Sequence, residues 1–185
     1  MAVHYSKPLG FVGRNICYRV SFNGVRYGHI VGGSASRFLP GRDEFFGDSF
    51  YLNNVVNNIF FHVEPDRSTK RYPVRNFSQS VLAHFRQRID RDWKYKYGDN
   101  VIGFESLVEL PRTGEVYLRD GWIETGVTKG FTCKRTSGEG TDSWSGKRVW
   151  NTENLRPKRV FLQRECRSAR KANEYGCQQG YAGFA

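Results

Sequence analysis

The central third of the chain has a pattern of apolar and polar positions that predicts a strand, a loop and then a long helix. Residues 51–63 are apolar side chains interrupted by asparagine pairs, and they end at Val63 as a strand would. From residue 76 the apolar positions recur three or four residues apart, which is the spacing of one helical face. The positions on that face are Phe77, Val81, Leu82, Phe85, Ile89 and Trp93. The pattern predicts one main amphipathic helix with one buried side.

The start of this helix predicts a cap and a possible anion site. Asn76 is a residue type that caps helices, and Gln79 stands where a capping-box partner reaches back. Ser78 adds a hydroxyl to the first turn. The preceding loop carries the basic residues Arg67, Lys70, Arg71 and Arg75. Free N–H groups and the helix dipole favour anions there, and the alternative is an ordinary strand–loop–helix unit with a solvated loop.

Shorter β elements are predicted on both sides of this unit. Residues 16–22 and 25–31 alternate as two strands around the hairpin turn Asn23-Gly24, and residues 38–49 look irregular. Residues 115–119 fit either a short strand or a helical turn. The later extended segments are 101–110, 121–126, 147–151 and 158–163.

These elements predict an α+β protein in which one main helix covers a twisted sheet. We assign residues 1–163 to a single domain. Residues 164–185 are basic and lack apolar periodicity, so we expect a flexible tail.

Net charge is the strongest global property of the chain. The sequence has 29 Lys and Arg against 18 Asp and Glu, which gives +11, and 15% of its residues are aromatic. A domain this basic usually binds a polyanion, and nucleic acid is favoured over the alternative that the charge only keeps the protein soluble. The basic residues concentrated towards the C-terminus, with Trp144 and Trp150 among them, are Lys129, Lys134, Arg135, Lys147, Arg148, Arg156, Lys158 and Arg159.

Cysteine spacing and hydropathy argue against several classes of protein. The four cysteines are far apart and form no CxxC or Cys/His ligand spacing, which favours free thiols in a reducing cytoplasm. No apolar run is long enough to span a membrane, and the first residues lack the pattern of a signal peptide. A membrane partner is therefore not expected.

Several short motifs follow one another between residues 4 and 163. They are His4-Tyr5-Ser6, Gly13-Arg14-Asn15-Ile16, Gly33-Ser34-Ala35-Ser36, residues 52–58, Asn76-Phe77-Ser78, Asp92-Trp93, Tyr97-Gly98, Phe104-Glu105, residues 114–117, Trp122-Ile123 and residues 126–130. Their order resembles the DruA domain of the Druantia anti-phage system. The same skeleton is similar to the phage Mom proteins, divergent members of the acetyltransferase-like GNAT fold. Mom proteins modify the exocyclic amine of adenine in phage DNA and so protect it from restriction enzymes.

The resemblance implies a GNAT-like fold and a DNA-modifying transferase in the cytoplasm of a bacterial host cell. A GNAT-type transferase needs a splayed strand for its acyl donor, a helix N-terminus for the donor's phosphates and a base. The implied donor-binding residues are Val63, Arg75, Asn76 and Ser78, and the implied catalytic residues are His4, Tyr5 and Glu105. The donor is either acyl-coenzyme A or an aminoacyl-tRNA. Burial would raise the pKa of a carboxyl such as Glu105, which suits a base.

On the acceptor side the resemblance implies double-stranded DNA as the partner, with tRNA as a second possible partner. The implied substrate-binding residues are Asn57, Tyr117, Trp122, Lys129 and Arg135. Trp122 could stack a flipped base. The asparagines at 53, 54, 57 and 58 are unusual in a central strand, because buried amides need hydrogen bonds. They predict a polar cavity or an ordered network.

Each of these assignments has a structural alternative. Tyr117 and Trp122 could be core residues, and Glu105 could pair with a surface arginine. No metal site is predicted, although His4 and Glu105 could also act as ligands. Residues 106–113 depart from Mom, because they lack its Gly/His-rich turn. A non-catalytic, DruA-like nucleic-acid-binding component of a defence system, and a transferase acting on protein or a small molecule, are the alternative functions. The oligomeric state is not predicted.

Overall fold

The computed structural model describes residues 13–47, 50–135, 148–151 and 155–165, and of residues 132–135 and 148–151 it describes the backbone alone. The strands are β1 (Asn15–Phe22), β2 (Val25–Ser34), β3 (Val55–Val63), β4 (Gly103–Glu109), β5 (Ile123–Val127), β6 (Thr132–Arg135), β7 (Arg148–Asn151) and β8 (Lys158–Arg164). The helices are α1 (Arg42–Phe46), α2 (Phe77–Tyr97) and α3 (Glu115–Arg119), and Leu52–Asn54 form a 3-10 turn. The predicted α+β class is confirmed.

Six of these strands form one mixed sheet in the order β1-β2-β3-β4-β8-β5, while β6 and β7 pair with each other. Neighbouring strands in the large sheet are antiparallel, except that β3 and β4 are parallel. Parallel neighbours need a long crossover connection. The loop of residues 64–76 and helix α2 supply it, so the predicted strand–loop–helix unit leads directly into the one parallel pair of this sheet.

Helix α2 packs on one face of the sheet through the side that its periodicity predicts. Phe77, Leu82, Phe85, Ile89 and Trp93 are buried along it. The sheet accommodates the helix at Gly32, where a Cβ would lie 2.1 Å from Cδ1 of Ile89. A side chain at that position of β2 would therefore push the helix away.

The other face of the sheet is covered by residues 35–47, which include α1. Leu39 forms a buried cluster with Val160 and Leu162 of β8, and Phe45 and Phe46 pack against it. The prediction that residues 38–49 are irregular is wrong for α1. Five residues are too few for helical periodicity to show in a sequence, and the residue before the helix, Gly41, has a left-handed φ of 71°.

Other differences from the predicted elements lie at boundaries. The strand predicted from residue 51 begins at Val55, residues 115–119 are helical, and β8 reaches Arg164. Strand β6 lies outside the predicted extended segments. Of the predicted tail, residues 164–185, Arg164 belongs to β8, and residues 166–185 lie outside the described residues. None of the helices in the described ranges has both the length and the apolar character that crossing a membrane requires.

The predicted capping box of α2 is wrong. Asn76 adopts a left-handed conformation, with φ 57° and ψ 29°, and its side chain makes no cap hydrogen bond. The Gln79 amide instead donates to the Arg119 carbonyl at 2.7 Å. Asparagine tolerates the left-handed region better than most residues, so Asn76 serves as a corner between loop and helix.

Candidate functional site

The parallel strands β3 and β4 separate after a short paired stretch. They are paired at Val55 and Gly103, at Val56 and Phe104, and at Asn57 and Glu105. Beyond that last pair, β3 continues to Val63 and β4 to Glu109. Among the described residues, the facing backbone edges therefore have no strand partner there. We call this divergence after Asn57 and Glu105 the fork.

A bulge in β3 lies at the fork and explains the separation. In the ladder with β2, Val31 pairs with Phe60 and Gly32 pairs with Asn58, which leaves Ile59 as an extra residue. A bulge bends its strand and increases the local twist. Since β3 stays paired with β2 on one side, the bend carries it away from β4 on the other.

The fork opens into a cleft of about 570 Å³. Its walls are residues 58–61 of β3, residues 106–108 of β4 and the connection 111–117, which includes the start of α3. The volume lies within the usual range for small-molecule sites, roughly 300–1,000 Å³. Gly114 lets α3 approach the sheet, because a Cβ there would lie 2.3 Å from Cζ of Phe161.

Asn58 holds the fork together through four hydrogen bonds. Its Nδ2 donates to the carbonyls of Val31 and Phe60, both at 3.2 Å. The Tyr117 hydroxyl donates to Asn58 Oδ1 at 2.7 Å, and the Ser106 hydroxyl donates to the Asn58 carbonyl at 3.3 Å. The ordered network predicted for the asparagines is confirmed at this residue.

Glu105 is fully buried on the sheet face opposite α2. Strand neighbours point to opposite faces, and Phe104 belongs to the core under α2. One carboxylate oxygen of Glu105 accepts the Ser36 backbone N–H, and the other accepts Arg42 Nη1 at 3.1 Å. Arg42 is itself only 4% exposed. The alternative that Glu105 pairs with an arginine is therefore right about the partner and wrong about the surface location.

The electrostatics of Glu105 are set mainly by its burial. Loss of solvent raises the pKa of this carboxyl above its ordinary value, against the lowering effects of the Ser36 N–H and the Arg42 guanidinium. The predicted direction is confirmed. A base whose pKa moves towards neutrality is better suited to accept a proton near pH 7.

Asn57 lies beside Glu105 on the same face. Its Nδ2 donates to the Ser36 hydroxyl at 3.1 Å. Within the described part of the chain, Asn57 Oδ1 and Arg42 Nε are buried without a hydrogen-bond partner. Ser36 and Arg42 are site residues that the sequence did not reveal, although Ser36 belongs to the Gly33-Ser34-Ala35-Ser36 motif.

The predicted donor-binding residues do not line the cleft. The Val63 carbonyl accepts the Tyr72 hydroxyl at 3.2 Å. Arg75 and Asn76 are exposed in front of α2, and Ser78 is partly exposed in its first turn. The bond from Gln79 to Arg119 connects this turn to α3, whose first residues line the cleft.

The loop in front of α2 is ordered around Asp66. Its carboxylate accepts the Ser68 hydroxyl and the backbone N–H groups of Ser68 and Thr69. These contacts, the Ser68 hydroxyl first, lower the pKa of Asp66 to about 2. The loop's exposed basic side chains form no ion pair with another described residue; they are Arg67, Lys70, Arg71 and Arg75.

The predicted substrate-binding residues lie in separate parts of the structure. Tyr117 is buried and its hydroxyl reaches the fork. Trp122 is 2% exposed, donates through Nε1 to Asp120 and packs against Tyr117, so neither ring face is open to a base. Lys129 is exposed after β5 and does not line the cleft. The Arg135 side chain, and all of His4 and Tyr5, lie outside the described residues.

Metal-ligating residues do not cluster in the part of the chain that the structure describes. No group of three or more His, Cys, Asp or Glu side chains there could hold an ion. Cys17 is exposed with a free thiol.

The described residues thus form an α+β fold with a mixed sheet, in which the parallel strands β3 and β4 separate to form a cleft. No family model matches the chain. A solved structure described as a GNAT-family acetyltransferase from Desulfovibrio desulfuricans has a TM-score of 0.43 and 10% identity, and covers 81% of this chain and 68% of that one.

A sequence similarity is found with the nuclear mRNA export protein THP1 of Saccharomyces cerevisiae, which is 28% identical over 147 residues. The match covers 62% of this chain and 31% of that protein, so the chain spans about a third of the length of this curated relative. Neither similarity shows a family, and function is inferred from the residues of the fork.

Proposed function

We propose that the protein is a GNAT-type transferase that binds an acyl thioester donor in the cleft at the fork. Its acceptor, following the resemblance to Mom, is the exocyclic amine of adenine in DNA. The observation that carries the proposal is the separation of β3 and β4 directly after Asn57 and Glu105. It opens a cleft directly beyond a buried carboxylate with a raised pKa, although Glu105 itself does not line that cleft.

The cleft suits an extended donor such as acyl-coenzyme A. Beyond the fork, residues 58–63 and 106–109 turn backbone edges without a strand partner towards each other. Amide groups along the donor's arm can hydrogen-bond to such edges, because buried backbone groups need partners. When bound, the donor supplies an activated acyl carbon. An aminoacyl-tRNA is the second donor to test.

The chemistry follows from the two sides of the fork. Glu105 accepts a proton from the amine as the amine nitrogen bonds to the acyl carbon. The carbon–sulfur bond breaks, and the Tyr117 hydroxyl gives a proton to the departing thiolate. Asn58 fixes this hydroxyl at the cleft wall. Because an adenine amine is a weak nucleophile, positioning contributes more than the base alone.

Access to Glu105 requires a local change. Ser36 and Arg42 occupy both of its carboxylate oxygens in this structure. An acceptor amine must displace one of these contacts before Glu105 can take its proton. The partner-free Oδ1 of Asn57 lies in the same cluster and can accept the second N–H of that amine.

DNA as the acceptor is supported by charge. The net charge is +11, and the exposed basic side chains of the loop before α2 form no ion pair with another described residue. Neutralising DNA phosphates with such residues releases counterions and gives salt-dependent binding.

The direct test is mass spectrometry of nucleosides after purified protein, plasmid DNA and acetyl-coenzyme A are incubated together, with charged tRNA as a parallel donor. We expect a new adduct on adenine that is absent with Glu105→Gln, whose folding is checked by thermal unfolding. Unmodified DNA in both donor arms would reject the DNA acceptor.

Donor binding is tested separately by calorimetry with coenzyme A. Thr113→Trp, an exposed cleft residue, is expected to abolish binding, while Gln87→Trp on the exposed side of α2 leaves it unchanged. Wild-type protein that binds no coenzyme A, or a Thr113→Trp variant that binds it normally, would overturn the donor site.

A further inference from the structure

Phe38 is an exposed aromatic side chain on the segment that covers Glu105. The residue is 84% exposed, although large apolar side chains are usually buried. We propose that Phe38, together with Arg37, is a base-stacking element that inserts into DNA beside the base to be modified. This inference rests on the proposed function and names the contact by which that site would engage its substrate.

The backbone around Phe38 is fixed on both sides. Arg42 donates to the carbonyls of Ser36 and Arg37. Leu39, the next residue, is buried against Val160 and Leu162 of β8. Phe38 therefore projects from a held segment, and its exposure belongs to the fold. Inserting a preorganised side chain costs less conformational entropy than ordering a mobile one.

The surroundings of the ring suit a nucleobase. The Arg37 guanidinium lies over the Phe38 ring with its Cζ 5.5 Å from the centroid. A cation over one face leaves the other face free to stack on a base, and the guanidinium adds charge that attracts phosphate. The positive charge beside the ring, in a protein of net charge +11, favours a polyanion as the partner.

The position of Phe38 connects it to the chemistry. The Ser36 N–H, two residues before Phe38, is bonded to the Glu105 carboxylate, and Arg42, four residues after, is bonded to the same group. Enzymes that act on a base inside a duplex must extrude it, and apolar wedges commonly unstack the neighbouring step. Here Phe38 lies on the same short segment as Ser36 and Arg42, which cover the Glu105 carboxylate, so the wedge would enter DNA next to the candidate catalytic base.

The test compares two fluorescein-labelled duplexes of one sequence, matched and with a central A·C mismatch, by anisotropy at low salt without donor. A mismatch lowers the cost of unstacking, so a wedge prefers it. We expect wild-type protein to bind the mismatched duplex about tenfold more tightly, and Phe38→Ala to bind both equally. Phe38→Trp should retain the preference. Tyr95→Ala is the matched control, because Tyr95 is 94% exposed on α2, away from this segment.

Each outcome decides the matter. Equal preference in wild type and Phe38→Ala, loss of preference in Tyr95→Ala, or no DNA binding at low salt would overturn the inference. If Phe38→Ala lacks the preference while no adduct forms in the nucleoside assay, the stacking element stands and the proposed transferase fails. If Phe38→Ala forms adduct at the wild-type rate, the transferase stands and the stacking element fails.

Discussion

Arg42 Nη1 lies 3.1 Å from Oε2 of Glu105, and both side chains are almost completely buried. A buried ion pair contributes little net stability because both charges have lost their hydration, yet removing one partner leaves the other charge uncompensated. This pair also holds residues 36–42 on the sheet. Stability and access to the candidate base therefore depend on the same contact.

Breaking this pair from one side should be costly. We expect Arg42→Met to destabilise the protein by about 3–5 kcal/mol, because Glu105 stays buried without its cation. The double variant Arg42→Met/Glu105→Gln should be less destabilised than the sum of the two single variants. Urea unfolding of all four proteins measures this. Arg88→Ala, which breaks a pair exposed on α2, is the control and should cost less than about 1 kcal/mol. Strict additivity in the cycle would contradict coupling.

Glu105 should also give the stability a defined pH dependence. Burial holds its pKa above the ordinary value of 4.5, so the native state binds this proton more tightly than the unfolded chain. The stabilisation from this proton is complete below pH 4.5 and is lost as the pH rises through the raised pKa of Glu105. The stability of the wild type relative to Glu105→Gln should therefore fall between pH 4.5 and that raised pKa, and then level off. Urea midpoints at a series of pH values test it, and a relative stability that rises with pH would refute it.

The hydrogen bonds of Asn58 predict an order of effects at the fork. Asn58→Ala leaves the Tyr117 hydroxyl and two carbonyls without this partner, so we expect a loss of about 2–4 kcal/mol. Tyr117→Phe removes one donor and should cost about 1 kcal/mol. Chemical denaturation ranks the two variants. If Tyr117→Phe proved the more damaging, Asn58 would not be the centre of the network. Tyr117→Phe should also fold normally and slow adduct formation.

We expect Gly32→Ala to be destabilising for steric reasons that a second substitution can partly relieve. Its new Cβ would lie 2.1 Å from Cδ1 of Ile89 and 2.9 Å from Cγ1 of Val56, and such overpacking costs about 1–3 kcal/mol. Ile89→Val removes that methyl carbon and alone should cost about 1 kcal/mol. The double variant should therefore be more stable than the two single losses predict. Thermal unfolding checks this, and a double variant that simply adds both losses would show that other contacts dominate.

The sequence predicted the elements whose pattern repeats over many residues. Helix α2 has 21 residues, so its apolar face recurs several times and identifies the buried side correctly. The prediction that Gln79 completes a capping box was wrong, because its amide donates to the Arg119 carbonyl on another helix. Helix α1 is shorter than two turns and left no pattern.

The site was predicted only in part, because its decisive relationships are long-range. Glu105 was a candidate through the family resemblance, and Asn58 stood out as one of four asparagines in a predicted central strand; both lie at the fork. Their partners could not be identified: Arg42 is 63 positions from Glu105 in the chain, and Tyr117 is 59 from Asn58. The extra residue in β3 depends on how β2 pairs with it, which no pattern within β3 reveals. The sequence could not show that Trp122 is buried, because its burial likewise depends on residues that are distant in the chain. It was therefore considered as a stacking residue.

The bulge at Ile59 has a consequence for the evolution of the cleft. Val56 belongs to the core under α2, and Phe61 and Val63 pack against the same core, so the inward side chains of β3 are five and seven positions apart from Val56. Removing one residue between them would make those spacings even and restore plain alternation without turning any of the three outward. A single-codon deletion of Ile59 would thus straighten the strand and leave the core sequence intact. A continuous sheet and this open cleft therefore differ by the insertion of one residue in β3.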